Sequence, residues 1–276
     1  MTVEKIGDRR VAVVTGATGT IGLAIARQIA ATPGHEVVLV CRDADKAVRC
    51  TEHITLATGN GGIRFKIVDL SCWSSIKALA DSWKGPLHVL VNNAGVTPRH
   101  RECTREGIEL QFATNVLGYF WMIEAFTKHL IRSAPARVIN VASYWAGDLD
   151  VRDLEFKVRP YHNDAAYRQS KQANRMLTGA FATRLQSKGI TVNACHPGDV
   201  NSTLSNNLGF GGHESPDEGA RTPVWLATGE SGGQVTGKYF ERLREVRCPY
   251  VTDLVAAEAL FRVCQGYVAQ MHRLPT

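Results

Sequence analysis

A doubly wound α/β fold, with a parallel sheet covered by helices on both faces, is what the sequence predicts. Three observations carry that expectation. Short apolar, β-branched runs recur along the chain, and stretches with helical periodicity separate them. The runs are almost continuously apolar rather than alternating, as strands buried on both faces are. Finally, 276 residues of which 44% are hydrophobic suffice for one large core, and no repeat or linker divides them. A single domain spanning 1–276 is expected.

The elements follow in order. Arg10 to Thr15 is a strand ending at Gly16, and Ile21 to Ala31 a helix stopped by Pro33-Gly34. Glu36 to Cys41 is the second strand and Asp43 to Ala57 the second helix. Gly59-Asn60-Gly61-Gly62 punctuates before the strand Ile63 to Val68, which ends at Asp69. A helix from Ser74 to Trp83 leads to the strand Leu87 to Val91. A long helix, Glu109 to Arg132, precedes the strand Arg137 to Val141. Ala165 to Leu185 has an apolar stripe at helical spacing (Ala173, Met176, Leu177, Ala180, Phe181, Leu185) and leads to the strand Ile190 to Cys195. The segment 199–250 breaks the rhythm with Gly209-Phe210-Gly211-Gly212 and three prolines, and reads as an irregular lid-like insertion over a site. This pattern is that of a Rossmann-type fold.

Composition removes several classes of function. The net charge of +6 is spread over singly placed basic residues, so no nucleic-acid partner is expected. Seven cysteines, odd in number and without a CxxC pair, read as reduced thiols of a cytoplasmic protein. His100, His129, His162 and His196 lie in dissimilar contexts without ligand spacing, so no metal is expected. Met1 to Arg10 is polar and mixed in charge, unlike a secretory leader, and no apolar run reaches the length of a membrane span.

Two local patterns carry chemistry. Thr15-Gly16-Ala17-Thr18-Gly19-Thr20-Ile21-Gly22 lies between the first strand and the first helix. Glycines there permit a tight turn and close approach of backbone to a pyrophosphate, while the helix N-terminus supplies N–H groups and positive dipole. Gly16, Thr18, Gly19, Thr20 and Ile21 are the candidate phosphate contacts. The second pattern is Tyr167-Arg168-Gln169-Ser170-Lys171, which sets a phenol and an ammonium one helical turn apart on one face. A phenol titrates ordinarily near about 10, and a neighbouring ammonium would lower that and make it a general acid/base.

With these residues in place the chain resembles the short-chain dehydrogenase/reductase family. The glycine loop, Asp69-Leu70, Asn92-Asn93-Ala94-Gly95, Asn115, Ser143, Tyr167-x-x-x-Lys171 and His196-Pro197-Gly198 arrive in the family's order. Gly107 to Phe112, Ala166 to Lys171 and Glu218 to Pro223 give it the flavour of the retinol-dehydrogenase-like branch. The resemblance implies a nicotinamide-dependent enzyme acting on a carbonyl or alcohol of a moderately hydrophobic small molecule. It implies that Tyr167 is proton donor or base, that Lys171 lowers its pKa and binds the nicotinamide ribose, that Ser143 binds the substrate oxygen, and that Asn115 steadies a water relaying protons from Lys171. It sets Asp69 and Leu70 at the adenine, Asn93, Ala94 and Gly95 beside the ribose, and Pro197, Gly198 and Val200 around the nicotinamide. The threonine that the family carries after Pro-Gly-x-Val-x is replaced by Ser202, with Thr203 next, so either hydroxyl remains a candidate for the carboxamide. Many members pair through helices corresponding to 109–132 and 166–187, which makes a homodimer an expectation.

Dinucleotide folds take NAD with an acid at the end of the second strand and NADP with a base there. Arg42 stands at that place, and a guanidinium forms charge-assisted hydrogen bonds to a 2′-phosphate. NADP(H) is therefore expected over NAD(H), with Asp43 free to cap the next helix. The long gap between Ser143 and Tyr167 carries Tyr144, Trp145, Phe156 and Tyr161. These aromatics either wall the site mouth or pack the excursion onto the sheet. Arg99-His100-Arg101 with Arg105 is read as a solvated basic face. Two other readings stay open: an epimerase-like extended member of the family, whose glycine spacing is similar, and a non-catalytic NADP(H)-binding sensor.

Overall fold

A computed structural model of the chain describes residues 9–271. Most of the polar stretch Met1 to Arg10, on which the expectation of no leader rests, lies outside the described residues. Strands β1 (Arg10–Thr15), β2 (His35–Cys41), β3 (Ile63–Ile67), β4 (Val89–Asn92), β5 (Ala136–Val141), β6 (Ile190–His196), β7 (Tyr239–Glu241) and β8 (Arg244–Glu245) form one sheet. Its order is β3-β2-β1-β4-β5-β6-β7-β8, with every pairing parallel except β7 with β8. The strand order reverses between β1 and β4, where Val14 pairs with Leu39 on one side and with Val91 on the other. A crevice opens outside the carboxyl ends of the strands at such a reversal, which is where ligands of open α/β sheets bind.

Alternation along the buried strands feeds two cores. In β1, Val11 and Val13 point into one and Ala12 and Val14 into the other. On one face lie α1 (Thr20–Ala31), α2 (Ala44–Thr58) and, later in the chain, a helix at Pro216–Thr228 that packs on α1. The opposite face carries α3 (Trp73–Ser82), α4 (Gly118–Arg132) and α5 (Asn163–Leu185). Numbering then runs through α6 (Thr203–Asn207), α7 (Pro216–Thr228), α8 (Pro249–Thr252) and α9 (Leu254–Met271). Phe120, Phe181 and Phe261 meet ring to ring at 5.0–5.2 Å, joining α4, α5 and α9. Burial of one such ring contributes about 1.5–3 kcal/mol.

Two features depart from the sequence-based reading. The helix expected over 109–132 is interrupted: Phe112–Leu117 forms a π-helical turn, with the Gly118 N–H donating to the Ala113 carbonyl, before α4 begins. An extra residue per turn leaves no mark on apolar spacing. The segment 199–250 is more regular than an insertion. Its first part, to about residue 212, arches over the strand ends, but α7 is a full member of the helical layer and β7 extends the sheet. Ser215 and Glu218 form a reciprocal capping box with Pro216 at the first helical position, which accounts for the start of α7. On the opposite face α8 and α9 also pack against α5.

Candidate active site

A cleft of about 620 Å³ runs along the carboxyl edge of the sheet, from the end of β2 past β1 and β4 to the ends of β5 and β6. At one end, Gly16 takes the left-handed conformation (φ 63°), and a side-chain carbon there would stand 2.7 Å from Ala94 Cα. Gly22 has even less room, since a Cβ would stand 2.2 Å from the Gly16 carbonyl oxygen. The two glycines therefore let the loop turn and let α1 close onto it. Gly19 is the N-cap of α1, without a side-chain cap, and the first turn holds no acidic residue. The helix thus presents uncapped N–H groups and its positive dipole end to the cleft, the physical requirement of a phosphate site.

All the cofactor candidates from the glycine loop to Val200 lie on the cleft wall. Arg42 is exposed at the far end, beside Lys46, a second cation that sequence reasoning missed. Asp43 does not compete for a ribose: its Oδ1 accepts the Lys46 main-chain N–H at 2.9 Å as the N-cap of α2. Asp69 Oδ1 accepts from the Ser71 N–H and hydroxyl at 2.9 and 2.7 Å, fixing the turn after β3. The Asn93 carboxamide donates to the Thr15 carbonyl at 2.9 Å, so this side chain welds the loop after β4 to the glycine loop. Thr15 Oγ1 completes the weld by accepting the main-chain N–H groups of Asn93 and Ala94.

The catalytic end assembles from three segments. Ser143 follows β5, and its hydroxyl shares a hydrogen bond with Tyr167 and accepts the Trp145 N–H at 3.1 Å. Tyr167 and Lys171 rise from one face of α5, with the Lys171 ammonium 5.6 Å from the Tyr167 ring centre and donating to the Val141 carbonyl at 3.0 Å. Burial pushes the Tyr167 phenol up to about 12, while the Ser143 hydrogen bond and Arg175 pull the other way. Burial also brings the Lys171 ammonium down to about 8. The expectation that Lys171 sets a lowered pKa for Tyr167 is thus corrected for this structure: desolvation dominates, and Lys171 is tied to the end of β5.

Asn115 lies one layer behind the wall, which its neighbour Thr114 reaches. Buried in the π-helical turn, it accepts the Val96 N–H at 2.9 Å and donates to the Val96 carbonyl at 3.0 Å. Its carboxamide therefore braces the loop after β4. Of the two late hydroxyls, Ser202 caps α6 by accepting the Ser205 N–H, whereas Thr203 is exposed on the cleft wall.

The aromatics of the excursion divide between the two expected fates. Tyr144 and Trp145 line the cleft, while Phe156 is buried against Tyr161, whose hydroxyl donates to the Pro98 carbonyl at 3.0 Å. Phe210, which the sequence could not place, stands edge-on to Trp145 at 5.4 Å. His196 packs edge-on against Tyr144 at 4.8 Å, and burial drives its pKa down to about 4. Arg101, from the basic loop, donates to the Glu155 carbonyl at 3.0 Å and does not reach the cleft. Among the described residues no cluster of three His, Cys, Asp or Glu is arranged to hold a metal, and no helix is long and apolar enough to cross a membrane.

Known proteins share this architecture. Residues 10–209 match the profile of the short chain dehydrogenase family. Human retinol dehydrogenase 13 is 34% identical over 253 residues, covering 84% of this chain and 76% of its own. A crystal structure of an uncharacterized protein from Mycobacterium Paratuberculosis superimposes with a TM-score of 0.78 at 28% identity, covering 94% of this chain and 93% of that one. The NADPH-bound carbonyl reductase from chicken fatty liver does so with a TM-score of 0.67 at 25% identity, covering 87% and 98%. A profile match over residues 10–209 and a relative 34% identical over 84% of the chain show that the chain belongs to the short-chain dehydrogenase/reductase family of oxidoreductases.

Proposed function

We propose that this protein is an NADP(H)-dependent reductase or dehydrogenase that acts on the carbonyl or alcohol of a moderately hydrophobic small molecule, with Tyr167 as general acid/base. The observation that carries the reading is the meeting of Ser143, Tyr167 and Lys171 in the same cleft as an uncapped, glycine-lined helix N-terminus. The residues present fit a dinucleotide. Main-chain N–H groups of Thr18, Thr20 and Ile21 would hold the pyrophosphate, Arg42 and Lys46 a 2′-phosphate, Lys171 the nicotinamide ribose, and Thr203 the carboxamide. When bound, the cofactor supplies or accepts the hydride.

Ser143 Oγ would hydrogen-bond the substrate oxygen and hold it in line with the Tyr167 hydroxyl. A phenol pushed up to about 12 keeps its proton at neutral pH, so Tyr167 Oη can release it to an oxygen that gains negative charge during reduction. In the reverse direction the deprotonated oxygen takes the proton from the alcohol, and positive charge near it favours that negative form. Tyr144, Trp145 and Phe210 give the mouth flat apolar surfaces that suit a ring-bearing or polyene substrate. The seven free thiols accord with a cytoplasmic setting.

The test is oxidation of NADPH and of NADH against aromatic, terpenoid, steroid and retinoid carbonyls. Turnover that favours NADPH supports the reading. A preference for NADH contradicts the role given to Arg42, and tight NADPH binding without turnover of any carbonyl favours the sensor.

A further inference from the structure

Tyr167 and Lys171 are the first two members of a longer stripe. Arg175 follows at the next helical turn on the same face of α5, and side chains on a helix lean toward its N-terminus, here toward Lys171 and Tyr167. An arginine so near a helix midpoint is ordinarily solvated, but this one is 7% exposed. Its Nη2 donates to the Ser143 carbonyl and, at 2.7 Å, to the Tyr239 hydroxyl. Its guanidinium carbon stands 3.8 Å from the Tyr239 ring centre, and Nη1 approaches Cys248 Sγ at 3.7 Å. Among the described residues no carboxylate forms an ion pair with it. The nearest link to one passes through the Tyr239 hydroxyl, which donates to Glu241 Oε1 at 2.8 Å. A buried cation facing neutral partners is costly to hold, and its field is screened little.

We propose that Arg175 is a positioning residue for the reaction at Tyr167: it tethers the main chain of Ser143 and supplies the fixed positive charge that favours a negative Tyr167 oxygen. The proposal rests on the reading of Tyr167 as acid/base given above. The surroundings agree on the sign. Around Tyr167, burial raises the phenol's pKa, the Ser143 hydroxyl lowers it, Tyr144 and Asp199 raise it, and Arg175 lowers it. His196 on β6 feels the same charge: beside burial, Arg175, Arg242 and Lys171 all disfavour its imidazolium, with Asp199 at 4.0 Å and the Tyr144 ring edge completing its neighbours.

Two variants separate charge from tether. Arg175→Gln keeps a donor for the Ser143 carbonyl but carries no charge, and Arg175→Lys keeps the charge. The first readout needs no substrate: the titration of the His196 ring followed by NMR in the free protein. In Arg175→Gln it should move up by about one pH unit, and in Arg175→Lys it should stay with the wild type. The second readout is the pH profile of kcat for alcohol oxidation with NADP, whose acidic limb should move up in Arg175→Gln by a similar step while the KM for cofactor changes little.

His196 titrating alike in wild type and Arg175→Gln overturns the proposal. So does a profile of unchanged shape with kcat lowered uniformly, since that is what lost packing would give. A chain inert toward every alcohol and carbonyl, yet with His196 shifted as stated, would fault the assigned reaction while upholding the reach of the buried charge.

Discussion

At the phosphate end of the cleft the chain offers main-chain N–H groups and two cations, Arg42 and Lys46. At the hydride end it offers the Ser143 hydroxyl together with Tyr167, Lys171 and His196, whose ionisation burial has shifted. The first end works by leaving room: Gly16 and Gly22 stand where any Cβ would collide. The second works by filling it, with Lys171 held by the Val141 carbonyl and Ser143 by Trp145 and Arg175. A site made by absence of side chains is specified locally. A site made of buried polar groups depends on segments far apart in the chain.

Mutations should reveal that contrast. The largest effect short of the acid/base itself should come from Ser143→Ala, which removes a hydroxyl from the reacting oxygen: kcat falls roughly 10²–10³-fold with little change in NADPH affinity. An unchanged kcat would remove Ser143 from the site. At the other end the pattern should invert. Gly22→Val would drive a side chain into the Gly16 carbonyl and the Asn93 carboxamide, 2.2 and 2.6 Å from its Cβ. Overpacking of this kind costs about 1–3 kcal/mol, and denaturant unfolding together with an NADPH titration should show stability and affinity falling in step.

Arg42→Ala should weaken NADPH by roughly tenfold or more, the range of one hydrogen bond to a charged group, while NADH binding hardly changes. Equal losses for both cofactors would show that Arg42 does not read the 2′-phosphate.

Stability should also depend on pH. His196 titrates near about 4 in the fold against an ordinary value of 6.5, so the folded state binds fewer protons than the unfolded state in between. Stability therefore falls as pH drops from 6.5 toward about 4, and levels off below. His196→Asn should flatten that part of the curve of unfolding free energy against pH. A curve of unchanged slope would mean that His196 titrates normally.

The same contrast explains what the sequence made legible. The glycine loop and the Tyr167–Lys171 pair are short local spacings, and the parallel doubly wound sheet follows from apolar runs separated by helices, so these could be read before any coordinates. Phe210 could not, because a lone aromatic among glycines has no periodicity to place it. The π-helical turn at 112–117 hides because FATNVL satisfies a helical pattern equally well. Arg175 was visible as the next member of the stripe, but charge in a helix ordinarily means solvent. Only the contact with Tyr239 and the strand end after β5 reveals it as buried. The sign of the Tyr167 shift failed for a related reason: spacing gives the neighbour but not the degree of burial, which dominates here.

The measurement that bears most directly on the account is the rate of NADPH oxidation by wild type and Tyr167→Phe with the best carbonyl of the panel, alongside NADPH binding to both. Phenylalanine keeps the ring against Trp145 and removes only the proton donor. The account predicts a fall in kcat of about 10²–10⁴-fold with NADPH affinity nearly unchanged. Turnover in Tyr167→Phe close to the wild-type rate would contradict it.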